Sequence, residues 1–364
     1  MPSSRKLWRT TVDGRPTRSL PRRRTAQPPI RSRTSLLKAT LPTVAEDRPP
    51  RVVYRDLDGV LLLDKSVGLS SNGALQRARR LLRAAKAGHT GSLDPLASGM
   101  LPLCFGEATK VAGYLLDGDK RYAFRLALGA KTATGDAEGP VVAEAAVPAL
   151  DAAVIEQAMV GLRGPQQQVP PMHSALKRDG RPLYELARQG IEVERAPRAV
   201  VLHQLVCTGF GPDWLDAEVH CSKGTYVRVI GETLAVALGT VGHLAALRRL
   251  WAAPFADLPV VTLEQLEAEG EAEREARLLP ADAALVDHPA ATLSLAAARA
   301  LSRGQNPSCE EILPAASLHK VWRLYGPDAT FLGLGEVVSD LAGAMTWRAV
   351  RLFAGPVARF AGSG

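Results

Sequence analysis

Hydrophobic and polar residues follow one another along the chain in patterns that predict both strands and helices. Residues 122–128 and 214–221 alternate apolar and polar positions, which is typical of half-buried strands. The apolar run at residues 59–64 predicts a short buried strand. Two segments carry apolar residues at helical spacing, one after Ser70, a good N-cap, and the other over residues 227–238.

These elements do not alternate regularly as strand, helix and strand, so we predict an α+β fold rather than a parallel α/β fold. The acidic, Ala-rich residues 264–277 predict one surface helix, followed by a connector at residues 279–288. Strand-like pieces at residues 330–333 and 349–353 predict a small β-rich domain in the last part of the sequence.

The composition is that of an ordinary globular protein, with 364 residues, 46% hydrophobic and 23% charged. No stretch approaches the roughly 20 apolar residues of a membrane helix, and no secretory signal is recognisable, so we expect a soluble cytoplasmic protein. The four cysteines lie far apart without a CxxC pair. This spacing predicts reduced thiols, with neither a disulfide framework nor a zinc site.

The net charge of +8 is concentrated at the amino end. The first 51 residues hold 13 Lys and Arg against three acids, a net charge of +10, which leaves −2 for the rest of the chain. Residues 1–53, rich in Arg, Pro and Ser, therefore predict a disordered basic leader that could add sequence-independent affinity for RNA. Import into an organelle is a minor alternative, because scattered prolines oppose an amphipathic helix.

The most unusual segment is residues 88–102, which contain three glycines and two prolines around Asp94. This composition predicts a loop of specified backbone shape rather than a regular element. Residues 221–228 then form a turn into the second predicted helix, with Arg228 in its first turn. Since the helix dipole disfavours a cation there, we predict a carboxylate partner for Arg228, and Asp94 is the candidate.

The segments around these two residues resemble the tRNA pseudouridine-55 synthase family, also called pseudouridine synthase B. The motifs that carry the resemblance occur in the family's order, at residues 59–65, 68–72, 88–102, 106–110, 119–122, 169–177, 183–190, 221–228 and 247–249.

The resemblance implies three catalytic residues. Asp94 matches the catalytic aspartate, Arg228 matches its paired arginine, and Tyr122 matches the tyrosine that stacks on the target ring and acts as a candidate base. It also implies four substrate-binding residues. His89 matches the histidine that holds the flipped-out geometry, and Lys65 matches a basic residue near the entrance of the site. Tyr226 matches an aromatic residue of the pocket, and Leu247 matches an apolar wall.

The family's fold is a mixed, largely antiparallel sheet flanked by helices. The resemblance therefore implies a catalytic domain at residues 54–288, with an RNA-gripping insertion at about 130–185, and a small PUA-like RNA-binding domain at 289–364. The expected partner is the T arm of tRNA, with the uridine at position 55 as the target. We expect a monomer that needs no protein partner, no membrane, no cofactor and no metal.

The reaction implied by the family breaks the bond from C1′ to N1 of uridine and joins C1′ to C5, so nothing is oxidised or added. A carboxylate can assist loss of the base, and an aromatic face with apolar walls suits a uridine that has left the base stack. The sequence does not decide between attack at C1′, addition at C6, and elimination through a glycal.

Four departures from the family's usual pattern concern binding rather than catalysis. They are Ser66, Ser92, His173 and residues 229–232.

Two other functions compete with a synthase. Residues 56–60 resemble the opening motif of haloacid-dehalogenase-type phosphatases, but the apolar strand that should precede the first aspartate is short and charged. A tRNA chaperone without catalysis would also suit the basic leader, although the joint presence of Asp94, Tyr122 and Arg228 favours an enzyme.

Overall fold

The computed structural model describes residues 53–174, 176–178, 180–309, 318–339 and 343–360. The predicted basic leader, except for its last residue, lies outside these ranges, and so do parts of the predicted carboxyl-terminal domain. No described helix is long and apolar enough to cross a membrane.

Seventeen strands and nine helices make up the described part of the chain. The strands are β1 (Gly59–Lys65), β2 (Ala87–His89), β3 (Ala97–Phe105), β4 (Lys120–Leu128), β5 (Ala130–Thr132), β6 (Val141–Glu144), β7 (Gly164–Gln168), β8 (Lys177–Arg178), β9 (Arg181–Pro182), β10 (Arg198–Phe210), β11 (Trp214–Cys221), β12 (Gly242–Ala252), β13 (Val261–Thr262), β14 (Ala290–Thr292), β15 (Val321–Tyr325), β16 (Phe331–Ser339) and β17 (Met345–Leu352). The helices are α1 (Ser71–Leu81), α2 (Ala112–Asp117), α3 (Ala152–Val160), α4 (Leu183–Arg188), α5 (Val227–Ala237), α6 (Leu263–Ala268), α7 (Glu271–Ala276), α8 (Leu295–Ser302) and α9 (Ala354–Ala358).

A nine-stranded mixed sheet forms the centre of the molecule. Its order is β13-β1-β3-β12-β4-β11-β10-β7, with β2 paired to β3. Only β1 with β13 and β3 with β12 pair in parallel, whereas the other neighbours are antiparallel. The predicted α+β fold, with a largely antiparallel sheet flanked by helices, is confirmed.

The predicted strands and helices with clear periodicity are confirmed. In β4 every second side chain, beginning with Lys120, is buried in the core, as the alternation required. Helix α1 begins where its polar cap predicted, because the Ser70 hydroxyl accepts a hydrogen bond from the Gly73 amide at 3.0 Å. The apolar side of α1 packs against the sheet in the same core as α5.

The prediction that residues 88–102 form one irregular loop was wrong at both ends, because β2 extends to His89 and β3 begins at Ala97. A glycine is needed inside β3 because a Cβ on Gly99, at φ +102°, would lie 2.1 Å from the Arg249 carbonyl oxygen. Pro102 fits the strand because its carbonyl accepts from the Thr90 amide, so its missing N–H faces the end of the short strand β2.

The prediction of one helix over residues 264–277 was also wrong. The chain leaves the helical conformation at Glu269, with ψ at 150°, and Gly270 then caps a second helix. A capping box of Thr262 and Gln265 starts α6, and the Glu273 side chain accepts from the Gly270 amide at the start of α7. Two local start signals therefore divided the segment into α6 and α7.

A second, four-stranded sheet follows, in the order β14-β15-β16-β17. It has its own small core against α8, and Leu334 and Phe353 join the core on one side of the large sheet. The Lys110 ammonium donates to the Leu352 carbonyl at 2.8 Å, and the Ala354 amide donates to Glu107 at 2.7 Å. The second sheet is thus packed against the first.

Candidate active site

Asp94 lies in the short loop between β2 and β3, which is held on both sides of it. The hydroxyl of Ser71, the first residue of α1, accepts from the Leu93 amide at 2.7 Å and donates to the Leu93 carbonyl at 3.0 Å. The Gly68 amide donates to the Pro95 carbonyl at 2.8 Å. These contacts fix the position of a carboxylate that no regular element carries.

Arg228 and Asp94 form the predicted pair. A terminal guanidinium nitrogen of Arg228 lies 3.1 Å from Asp94 Oδ2. The guanidinium also donates to two backbone carbonyls, of Thr134 at 2.9 Å and of His173 at 2.6 Å. The Arg228 side chain is 7% exposed and that of Asp94 is 40% exposed. The arginine is therefore a buried, fixed cation, and the carboxylate remains open to the space above it.

Asp136 is a second carboxylate beside Arg228, and the sequence analysis did not identify it. Its side chain is 4% exposed, and its Oδ2 lies 3.8 Å from Arg228 Nε. Its Oδ1 accepts from the Thr134 hydroxyl and from the Glu138 amide at 3.1 Å. The sequence held one signal for this residue, an acid in the Gly-Asp turn after β5. Because buried charges are normally paired, a buried acid there is expected to lie beside a cation.

The surroundings of Asp94 act on its ionisation in opposite directions. Burial raises the pKa of Asp94 above the usual carboxyl value, while Arg228 lowers it, Asp136 raises it, and Lys65 and His173 lower it. The net direction is upward, so the carboxylate is less stable in this site than in water.

Asp94 and Arg228 lie in a cleft of about 580 Å³. This volume falls within the range of small-molecule sites and is large enough for a nucleotide base. Besides this pair, the cleft is lined by His89, Gly91, Ser92, Leu93, Leu116, Lys120, Tyr122, Ser174, Leu176, Ser222, Gly224, Thr225, Tyr226, Val227, Leu247 and Arg249. Six of the seven residues predicted for the site therefore line one cleft.

Tyr122 projects from β4 into this cleft beside Arg249 of the neighbouring strand. Burial raises the pKa of Tyr122, against the charge and hydrogen bond of Arg249, which lower it. The phenol is therefore protonated at neutral pH. Arg249, which is 1% exposed, also donates to the carbonyls of Met100 at 2.6 Å and Gly91 at 3.1 Å. It links β12, the neighbour of the strand that carries Tyr122, to Gly91 of the Asp94 loop and to Met100 of β3.

The remaining predicted lining residues supply one imidazole, one phenol and one apolar wall. Burial lowers the pKa of His89, as does the charge of Arg249, so its ring is neutral. Within the described part of the chain, its buried Nδ1 has no hydrogen-bond partner. Burial raises the pKa of Tyr226, the residue that begins α5. Leu247 is 9% exposed and lies on β12 beside Tyr122's strand.

Comparison with known proteins decides the family. The model of the TruB family pseudouridylate synthase N-terminal domain matches residues 79–227, and that of the tRNA pseudouridylate synthase B C-terminal domain matches residues 228–286. The tRNA pseudouridine synthase B of Chromohalobacter salexigens is 50% identical over 77% of this chain and 91% of the relative. That of Methylobacillus flagellatus is 47% identical over 79% and 93%.

The chain belongs to the TruB family. A crystal structure of a Cbf5-Nop10-Gar1 complex contains a similar fold, with a TM-score of 0.62 and 22% identity over 84% of this chain and 87% of that one. The likeness to this structure concerns the fold.

Lys65 does not lie at the entrance of this TruB-family cleft, contrary to the prediction. Its side chain is fully buried, and its ammonium donates to the carbonyls of Ser66 at 2.9 Å and Leu69 at 2.7 Å. Burial lowers the pKa of Lys65 to about 8. Because the end of β1 lies in the core, the Lys65 ammonium acts on Asp94 through its charge and does not line the opening of the cleft.

The dehalogenase-like segment has a structural role in this TruB-family chain. Asp58 accepts a hydrogen bond from the Glu107 amide at 2.7 Å, at the start of the 3₁₀ turn that follows β3. Among the described residues, the group that could hold a metal ion is Asp119, His203 and His220, which does not include this segment. The phosphatase alternative is therefore not supported.

Proposed function

We propose that this chain is a tRNA pseudouridine synthase that isomerises the T-loop uridine at position 55. The observation that carries the proposal is the Asp94 carboxylate, 3.1 Å from a buried Arg228 and open to the cleft. The relatives that cover most of the chain are named tRNA pseudouridine synthase B, which supports the substrate class.

Asp94 would act at the sugar of a uridine whose base occupies the cleft. As the bond from C1′ to N1 breaks, positive charge develops on the sugar, and a nearby carboxylate stabilises it or forms a bond with it. Arg228 keeps the carboxylate ionised and orients it through a fork that is already fixed by two backbone carbonyls. The uracil then turns so that C5 faces C1′.

Tyr122, Tyr226 and Leu247 would hold the flipped-out base. Two phenol rings and an apolar side chain offer the stacking faces that replace the neighbouring bases of the RNA. Because burial raises the pKa of Tyr122, its resting form is the neutral phenol, which suits a stacking role. Removal of the C5 proton completes the isomerisation, and Tyr122 would serve as base only when substrate contacts stabilise its phenolate.

We assign RNA contacts to three regions. In the insertion at about 130–185 of the catalytic domain (54–288), Ser174 and Leu176 line the cleft, and exposed Arg178 and Arg181 lie next to them in sequence. Residues 289–364, whose described part contains the small sheet, would form a PUA-like RNA-binding domain, as the family resemblance implies. The leader, residues 1–53, would add affinity for RNA through the positive charge of its Arg and Lys residues.

We also propose that the chain acts as a monomer and without a protein partner. The named relatives are bacterial, which supports a cytoplasmic location, where tRNA is found. The isomerisation consumes no redox equivalent, so this proposal includes no cofactor.

The test is pseudouridine mapping on an unmodified tRNA transcript, with no metal or nucleotide added. We expect the wild-type protein to convert the T-loop uridine, and the Asp94→Asn variant to convert none. Asp213→Asn, at an exposed position, is the matched control and should keep full activity. A transcript with cytidine in place of the target uridine tests the site choice.

Absence of conversion by wild-type protein would overturn the proposal. If that protein still refolded tRNA, the chaperone alternative would replace it.

A further inference from the structure

We propose that Asp119, His203 and His220 form a binding site for Zn²⁺ on the face of the large sheet opposite the candidate active site. The three residues offer one ligand atom each, and these atoms all lie within 4.8 Å of one another. Two imidazoles and one carboxylate are a ligand set that zinc uses with one or more positions left for water.

The spacing of the ligand atoms fits one bound ion. Asp119 Oδ2 lies 3.1 Å from His203 Nε2 and 3.4 Å from His220 Nε2. Ligands at about 2.0–2.2 Å from a tetrahedral zinc ion are separated by about 3.3–3.6 Å. The contact with His220 lies within this range and the contact with His203 is slightly shorter, so a small movement of the exposed His203 side chain would fit the three atoms to one ion.

The lone pair of His220 Nε2 is available to a metal ion. The atom is buried and has no hydrogen-bond partner among the residues that the structure describes. A buried polar atom without a partner normally costs stability, and a metal ion accepts its lone pair. The Trp251 ring lies 5.2 Å from the His220 ring, centroid to centroid, and restricts the orientation of that imidazole.

His203 lies at a β-bulge in β10, opposite His220 of β11. The pairing of β10 with β11 shifts between Leu202 and Gln204, so His203 is the extra residue of β10. The side chains of both His203 and Gln204 are exposed, on the side of the sheet away from the buried Leu202. Bulges re-aim side chains and are frequent at functional sites. The bulge leaves both His203 and Gln204 opposite His220 on this face of the sheet.

The site is on the opposite face from Tyr122. In β4 the buried positions are Lys120 and Tyr122, and Asp119 has the parity of Arg121, which faces the other way. In β11, His220 lies between the buried Val219 and Cys221. Zinc there would join β4, β10 and β11 across the sheet and would not contact the base in the cleft.

The experiment is a titration of the untagged full-length protein with Zn²⁺ by calorimetry, and with Co²⁺ by visible absorption. The first 52 residues contain neither His nor Cys, so the basic leader offers no competing imidazole or thiol. We expect one saturable Zn²⁺ site per chain, and His203→Ala, His220→Ala and Asp119→Asn should each weaken binding about tenfold or more. His319→Ala is the matched control, since its side chain is 72% exposed in the second sheet, and it should change nothing.

Thiols are the competing zinc ligands, and Cys207→Ser serves as a second control because Cys207 lies on β10 as well. Absence of saturable binding, or equal binding by wild type and His203→Ala, would overturn the proposal. A melting temperature measured with and without Zn²⁺ keeps the test independent of folding defects. Zinc should raise it in wild type and leave it unchanged in a folded His203→Ala variant. Pseudouridine formation has no part in either readout.

Discussion

Asp94 and Asp136 lie on two sides of one guanidinium, that of Arg228. Asp94 contacts its terminal nitrogen at 3.1 Å and Asp136 faces its Nε at 3.8 Å. The first carboxylate is 40% exposed and the second is 4% exposed. The buried acid thus neutralises the arginine and holds it in place, and the exposed acid is available to substrate.

Arg228→Lys should lower the rate of the chemical step by about 10²-fold or more, the size expected when a fixed electrostatic partner is lost. A lysine ammonium cannot reach Asp94 and the carbonyls of Thr134 and His173 in the same geometry. Single-turnover conversion of tRNA measures this rate, and RNA binding by filter retention should change little. A loss of less than about threefold would contradict the role of the fork. Arg125→Lys, on an exposed part of β4, is the control.

The rate of the chemical step should fall on acidification at a higher pH than an ordinary aspartate would give. Burial raises the pKa of Asp94, and the protonated acid cannot stabilise positive charge on the sugar. The acid side of the single-turnover pH profile should therefore have its midpoint above about 3.9, the value of an unperturbed aspartate. A midpoint at or below that value would contradict this assignment.

Asp136→Asn should move the acid side of that profile to lower pH. Asp136 raises the pKa of Asp94 through like charge, so its neutralisation makes Asp94 easier to ionise. The maximal rate should also fall, by about tenfold, because Arg228 loses its buried counter-ion. If Asp136 had a purely structural role, its substitution would lower the rate without moving the pH profile. A shift of the profile therefore distinguishes an electrostatic role from a structural one. Asp213→Asn serves again as the control.

Asp94→Asn should raise the melting temperature at pH 7, although it abolishes activity. The pKa of Asp94 is raised in the folded state, so the folded protein binds this proton more tightly than the unfolded chain does. Its contribution to stability is therefore present below the unfolded pKa and is lost as the pH rises through the folded pKa. The difference between variant and wild type should shrink towards pH 4. A lower melting temperature for the variant at pH 7 would contradict the direction of the shift.

Gly99→Ala should destabilise the protein by about 3 kcal/mol or more, as seen by urea unfolding. Its Cβ would lie 2.1 Å from the Arg249 carbonyl oxygen, and φ is +102°. Gly190→Ala separates the two causes, since Gly190 has φ +72° and no atom within 4 Å of the added Cβ. That control should cost only about 1–2 kcal/mol, from the backbone conformation alone. Equal effects of the two changes would show that the contact with β12 is unimportant.

The sequence by itself determined the elements whose residues follow one clear period. The strands β4 and β11 and the helices α1 and α5 were predicted because alternation and helical spacing are local properties of the chain. The segment around Asp94 and the motif that contains Arg228 were equally visible, and their order indicated the family. Their pairing could be predicted because a cation in the first turn of a helix needs a carboxylate.

Only the tertiary structure decided which distant residues meet. Asp136 lies beside Arg228, and Lys65 is buried in the core instead of lying at the opening of the cleft. Neither position could be predicted, because sheet order and core depth are not encoded in local periodicity. The same holds for β3, whose Gly99 and Pro102 read as loop residues until β12 and β2 are placed beside them. Gln204 is a further case, since the one-residue shift in pairing at His203 places it on the exposed face instead of the buried face of Leu202.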